Sequence, residues 1–339
     1  MPIDTMTNPP ATARRGWASR LFGGLRPGPH LAVTAVGRHR ADDGLGGMAR
    51  QLIDDDRYAF LLLKDAADDV GDDEAAPALA ALRERMAPVP GGVMPVVRAD
   101  GHVEPVAVAA FYLDRTAVTN RQYRRFVASG GYDDLEIWPR EVWPSVLKLV
   151  DHTGRPGPRD WHRGEYPAEL ADHPVVGVCW YEASAYARWV GKRLPTAAEW
   201  QKAAGWPEQL GGGGCTRFPW GDVFDPVRAN LHASGRGRTA PVDAFPAGAT
   251  PNGLYQLAGN VWEWLADPLE IIPCAPGESL RPFKPLRRIV GGAFDTHFVH
   301  EATNQFITGQ AELDRRHNVG FRCAVAVDRL RDAPPEAAP

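Results

Sequence analysis

Cysteine is scarce in this sequence: four residues in 339, at Cys179, Cys215, Cys274 and Cys323. None forms a Cys-x-x-Cys pair and none stands in a Cys/His cluster with zinc spacing. A disulfide scaffold and a structural zinc site are therefore excluded, and a reducing, cytoplasmic compartment is the expectation. Long apolar runs are missing too. The longest, residues 106–113, has strand length and falls far short of the roughly 20 residues a membrane helix needs. Arg14-Arg15 is no twin-arginine signal, because Arg20 and Arg26 interrupt the apolar stretch after it. Nor does one sign of charge dominate. With 38 Lys and Arg against 42 Asp and Glu, the net charge is −4, which gives no global case for nucleic acid or acidic lipid as a partner. No internal repeat is present.

Glycine (35), proline (31) and tryptophan (11) are plentiful. Together they describe a loop-rich chain whose irregular segments are held by large aromatic anchors.

The chain divides by composition. Residues 1–45 are rich in Pro, Gly and Arg without a sustained period and read as a disordered tail. Residues 46–90 read as a helical hairpin. Asp54-Asp55-Asp56 would open a helix, residues 58–63 are apolar nearly all round, and Leu79, Leu82 and Met86 recur at helical spacing. A hairpin of this size has no core of its own, so it packs on the rest of the chain or on a protein partner. Within residues 105–327, 106–113 and 174–178 read as strands. Thr119-Asn120 caps a helix bearing Tyr123, Phe126 and Val127, a second helix over 181–190 stops at Gly191, and Thr196 with Glu199 forms a capping box. Residues 211–214, four glycines, read as a flexible loop, and 328–339 as a second disordered tail.

Several segments, in order, resemble one family. They include Phe111-Tyr112-Leu113-Asp114-Arg115-Thr116, Gly191-Lys192-Arg193-Leu194-Pro195-Thr196, Phe218-Pro219-Trp220-Gly221-Asp222, Gly259-Asn260-Val261-Trp262-Glu263-Trp264, Gly291-Gly292-Ala293-Phe294 and Asn318-Val319-Gly320-Phe321-Arg322. The order is that of the formylglycine-generating enzyme, or sulfatase-modifying factor, domain. The resemblance implies an α+β fold of the irregular, loop-rich C-type-lectin-like kind, here carrying the short N-terminal helical hairpin. Most of the motif residues are structural and specify shape rather than activity.

In catalytic members of that family a Gly-Gly-Ser turn leads into two cysteines five residues apart. These bind copper and oxidise a target cysteine to formylglycine with oxygen, because thiolates are soft ligands that select Cu(I). At the matching positions this sequence has Ala293 for the serine and Thr296 and Glu301 for the cysteines. The resemblance is thus to a member lacking the catalytic cysteine pair, and classical formylglycine generation is not expected. What remains is His297, His300 and Glu301. Two imidazoles and a carboxylate form a facial triad for a redox metal such as Fe(II) if the segment is helical or looped; on a strand the two histidines point apart. The alternative is a set of polar residues lining an exposed cleft, which His232 and His317 would also approach. A second branch of the family, the ergothioneine-type sulfoxide synthases, keeps its iron-binding histidines largely in an N-terminal helical bundle. Residues 1–88 contain only His30 and His39, which speaks against that branch.

The resemblance further implies a calcium site from Gln256, the carbonyls of Gly259 and Val261, and Glu263. Oxygen donors on an irregular loop suit Ca²⁺. A second calcium site would use Asn230 and Leu231, but Ser234-Gly235-Arg236-Gly237-Arg238 stands where its acidic partner loop belongs. Arg315-Arg316-His317 and Arg287-Arg288 could pair with a ligand carboxylate or phosphate, or form solvated turns. Function then has two readings. One is a binding or regulatory module for a peptide, protein or small molecule, with 295–308 as the displayed loop. The other is a metal-dependent oxidoreductase built on His297, His300 and Glu301.

Overall fold

The computed structural model describes residues 43–66, 70–97, 102–205, 215–269 and 282–331. Most of the first tail, the glycine loop at 211–214, most of the second tail, Cys274, His30 and His39 lie outside the described residues.

The N-terminal segment is woven into the body of the fold. Helix α1 (Asp43–Asp54) ends at the acidic triplet, whose composition is that of a start for the helix after it. Asp56 sits at φ 63°, which terminates the helix, and its buried carboxylate is clamped by Arg85 and by Arg125 at 2.9 Å. Residues 58–63 follow as one short turn, α2 (Ala59–Leu62). Tyr58, Leu61 and Leu62 are buried by the chain itself. Arg57 donates to the Trp189 carbonyl at 2.9 Å, and Leu63 bridges to Leu330, so residues just beyond 327 are ordered against this segment. Helix α3 (Asp72–Arg85) stops one residue before Met86, which opens strand β1 (Met86–Val89) rather than closing the helix.

Strands β2 (Gly92–Val97) and β3 (Val103–Val108) form an antiparallel hairpin. The apolar run at 106–113 is therefore two strands. It breaks at Ala109-Ala110, and β4 (Phe111–Asp114) begins a new sheet between β1 and β9 (Ala324–Ala326). Helix α4 (Asn120–Ala128) starts from the expected cap: Thr119 accepts from the Gln122 amide, and Gln122 closes the capping box. After α5 (Trp143–Val146) the segment at 174–178 makes a single bridge, Thr119 to Pro174, instead of a strand. Its polar backbone is satisfied by loops: Val175 donates to Val118 and Gly177 to Arg316. Helices α6 (Trp180–Trp189) and α7 (Ala197–Gly205) follow. A four-stranded sheet closes the chain in the order β7 (Ile307–Ala311), β6 (Leu286–Val290), β5 (Trp262–Pro268), β8 (Val319–Gly320), with β5 and β8 parallel.

Tyr123, Phe126, Tyr132, Trp138, Trp161, Tyr186, Trp189 and Phe321 build the main core. Edge-to-face contacts with centroids 5.3–6.2 Å apart run through it. Such aromatic pairs add to area burial and replace the long ladders this fold lacks. Among the described residues no helix is long and apolar enough to cross a membrane.

Candidate functional site

Two motif turns, one just before β5 and one just after β6, lock together. Gly259 donates to the Gly291 carbonyl at 2.7 Å, and Phe294 donates to the Asn260 carbonyl at 3.1 Å. Gly259 has φ 86°, and a Cβ there would lie 2.7 Å from the Asn230 carbonyl oxygen; only glycine allows both the angle and the approach. Gln256 and Asn260 also hold left-handed angles, φ 53° and 71°. Their side chains repay that strain. Gln256 Nε2 donates to the carbonyls of Pro241 and Ala244 at 2.8 and 2.9 Å, and its Oε1 accepts from Asn260 Nδ2. Asn260 Oδ1 accepts from Asn230 Nδ2 at 3.0 Å and from the Ala240 amide at 2.8 Å.

Glu263 is 2% exposed and Arg322 0%. Arg322 Nε lies 3.0 and 2.8 Å from the two carboxylate oxygens, its Nη2 donates to Oε1 at 2.7 Å, and Trp200 Nε1 donates to Oε2 at 2.9 Å. The single Nε–H is shared between the two oxygens, so three N–H groups converge on the carboxylate and the guanidinium neutralises its charge. The remaining Arg322 N–H groups go to the Asp114, Arg115 and Tyr255 carbonyls. Of the oxygens expected to hold calcium, the Glu263 carboxylate and the Gln256 amide are thereby occupied, and the Gly259 carbonyl accepts from Val261 at 3.0 Å. As placed, these residues form a neutralised ion pair beside an amide network and do not fit a calcium ion. Asn230, the other calcium candidate, is buried in that same network, where its Oδ1 accepts from Ser234.

At the positions of the family's reactive groups, Ala293 is fully buried. Thr296 is buried as well, and its Oγ1 accepts from the Ala293 amide at 2.8 Å while its own amide donates to the Ala293 carbonyl at 2.9 Å. The threonine closes the turn. Glu301 lies half-buried in the 3₁₀ turn Val299–Ala302. His297 and His300 are both exposed, and their rings have different partners. His297 stacks on His232 with centroids 3.9 Å apart, while His300 packs against Phe298 and Phe306. Among the described residues no group of three or more His, Cys, Asp or Glu is placed to hold a metal ion. His317 pairs with Asp295 at 3.3 Å, and Asp295 also accepts from Asn318 Nδ2 at 3.0 and 3.1 Å.

The described cysteines lie away from this turn. Cys179 starts α6, where burial pushes its thiol well above the ordinary range. Burial, reinforced by Asp114, does the same to Cys323, which precedes β9. Cys215 contacts Met94 Sδ at 3.6 Å. Of the basic residues, Arg315 is a half-buried strut. It pairs with Glu182 at 2.9 Å and donates to the Val150, Gly157 and Gly177 carbonyls. Arg287 pairs with Glu312 at 2.7 Å. The pairings Glu263–Arg322 and Glu182–Arg315 escaped sequence reading. Their motif segments marked them as structural, but partners 59 and 133 residues apart leave no local signal.

The fold and the turn are those of a formylglycine-generating-enzyme-like, C-type-lectin-like domain in which the reactive positions carry no thiol. Residues 73–327 match the sulfatase-modifying factor enzyme 1-like domain, and the chain belongs to that family. Formylglycine-generating enzyme from Bos taurus is 31% identical over 287 residues, 71% of this chain and 74% of the relative. Hercynine oxygenase from Mycolicibacterium smegmatis is 37% identical over 207 residues, 55% of this chain and 46% of the relative. The chain thus spans about half the length of the hercynine oxygenases it matches. This likeness stands against the weight that the histidine count put on excluding that branch. Treponema denticola variable protein 1 shares the fold at 17% identity and a TM-score of 0.50, covering 71% of this chain and 94% of that one.

Proposed function

We propose that this domain binds a ligand or protein through the turn-lined groove around Ala293, Thr296 and Glu301, and does so without cysteine chemistry. Thr296 carries the reading. A copper-binding thiolate must project toward a metal and a substrate, whereas the Thr296 hydroxyl is buried and committed to the Ala293 amide. The residues that do reach solvent beside that turn are His297, Phe298 and His300. They offer imidazole and apolar surface, which suits recognition of a peptide, a protein or a small molecule. The test is incubation with a Cys-x-Pro-x-Arg peptide, copper and reductant, followed by mass spectrometry. The expected result is no aldehyde; catalytic turnover overturns the proposal.

A second reading, an oxygenase, draws on the likeness to hercynine oxygenases. It needs His297, His300 and Glu301 to regroup. Elemental analysis of the purified protein and of a His297→Ala/His300→Ala variant separates the two. Stoichiometric iron lost in the variant favours the oxygenase; equal metal content in both favours the binding module.

A further inference from the structure

A cleft of about 300 Å³ opens between α6 and the later part of β5, lined by Trp180, Ser184, Arg188, Arg193, Leu194, Thr196 and Ala266. It shares no residue with the turn around Thr296. Its volume is at the small end of the range for small-molecule sites, roughly 300–1,000 Å³.

The cleft is built rather than incidental. The Trp180 ring is fixed twice: its Nε1 donates to the Leu265 carbonyl at 2.8 Å, and the Arg287 guanidinium lies over it at 3.8 Å. That fixes an aromatic wall beside the apolar Leu194 and Ala266. The charges around it are unevenly balanced. Arg193 is neutralised by both oxygens of Glu199, and Arg287 by Glu312. Arg188 has no carboxylate partner among the described residues. Only its Nη1 is engaged, by the Ile137 carbonyl at 2.9 Å, which leaves Nε and Nη2 as donors. Ser184, one helical turn earlier on the same face, is nearly buried, and its hydroxyl has no partner among the described residues. A planar fork of N–H donors beside a hydroxyl matches the geometry of a carboxylate.

We propose that this cleft binds a small monocarboxylate with an aromatic body, the carboxylate on Arg188 and Ser184 and the ring against Trp180. The separation of polar and apolar walls carries the assignment: an uncompensated guanidinium at one end, and indole with aliphatic side chains at the other.

Benzoate is the probe, titrated into the full-length protein by calorimetry, with benzamide as its uncharged isostere. Saturable one-to-one binding of benzoate is expected, with benzamide at least tenfold weaker. Arg188→Gln should weaken benzoate at least tenfold and Arg188→Lys less. Ser184→Ala should cost roughly tenfold, the scale of one hydrogen bond to a charged group. Arg188 is exposed and makes one hydrogen bond outside the cleft, so an unchanged circular dichroism spectrum is expected of both Arg188 variants. No saturation at millimolar benzoate, equal binding of benzamide, or equal binding by Arg188→Gln overturns the proposal. None of these results bears on the groove around Thr296.

Discussion

Replacing Glu263 by glutamine tests the heart of the site. In the wild type, the Arg322 guanidinium is 0% exposed and makes three contacts with the carboxylate between 2.7 and 3.0 Å. Glutamine keeps the volume but leaves a full positive charge buried without its counter-ion. Breaking a buried pair in this way costs about 3–5 kcal/mol. At about 2–4 °C per kcal/mol for a domain of this size, the midpoint should fall by about 6–20 °C. The assay is thermal unfolding followed by tryptophan fluorescence, since Trp200 donates to Glu263 and reports its surroundings. The double variant Glu263→Gln/Arg322→Met removes both charges and should recover part of the loss, giving less than the sum of the singles. Calcium makes the test two-sided. An ion present at 100 times its dissociation constant would add about 2.7 kcal/mol of stability, yet with Glu263 held by three N–H groups and neutralised by Arg322, added calcium should leave the wild-type midpoint unmoved. A loss below about 1 kcal/mol in Glu263→Gln, or a calcium-dependent rise seen in the wild type and absent in the variant, would refute the reasoning.

Three further outcomes are expected. Thr296→Val leaves the buried Ala293 amide without its acceptor and should cost about 1–3 kcal/mol in urea unfolding; no change would mean that the hydroxyl does not close the turn. Gly259→Ala combines the left-handed angle with a 2.7 Å approach to the Asn230 carbonyl. It should cost more than the roughly 1–2 kcal/mol of the angle alone, and a thermal midpoint equal to the wild type's would contradict the packing of the two turns. Asp151 gives a pH signature. Burial pushes its carboxyl up, but donors from Thr153, Gly164 and Arg155 outweigh this and hold it at about 2 against an ordinary 3.8. With the folded value depressed, its contribution is fully present above about pH 4 and is lost as pH falls toward 2. Acid unfolding of Asp151→Asn should therefore be flatter than that of the wild type across that window, and parallel curves would count against it.

The parts of the fold legible in the sequence are those whose signal is local. Thr119 with Gln122, and Thr196 with Glu199, satisfy helix ends within four residues, so both helix starts stand where the capping pattern puts them. The misreadings are of another kind. Asp54-Asp55-Asp56 has the composition of a helix start, but the same residues can follow a helix, and Arg85 and Arg125, brought from elsewhere in the chain, decide the matter. Residues 174–178 have the apolar, β-branched composition of a strand. Their neighbours are loops that bond them singly, and ladder pairing depends on what lies alongside. Residues 58–63, apolar nearly all round, had to be covered by something; helix α3 and Leu330 lie against them.

At the site the division is similar. That Thr296 and Glu301 stand where the family has cysteines is a matter of composition and order, and the sequence alone determined it. It also determined the family, because ordered motifs carry that information without coordinates. Only the tertiary structure decided what those residues do. It turned Thr296 inward onto Ala293, paired Glu263 with Arg322, gave His297 and His300 different ring partners, and left Arg188 beside Trp180 without a counter-ion among the described residues. The physical reason is that a side chain's chemistry depends on which charges, donors and apolar walls surround it. In this fold those neighbours come from segments tens to hundreds of residues away, joined by irregular loops whose paths no local periodicity records.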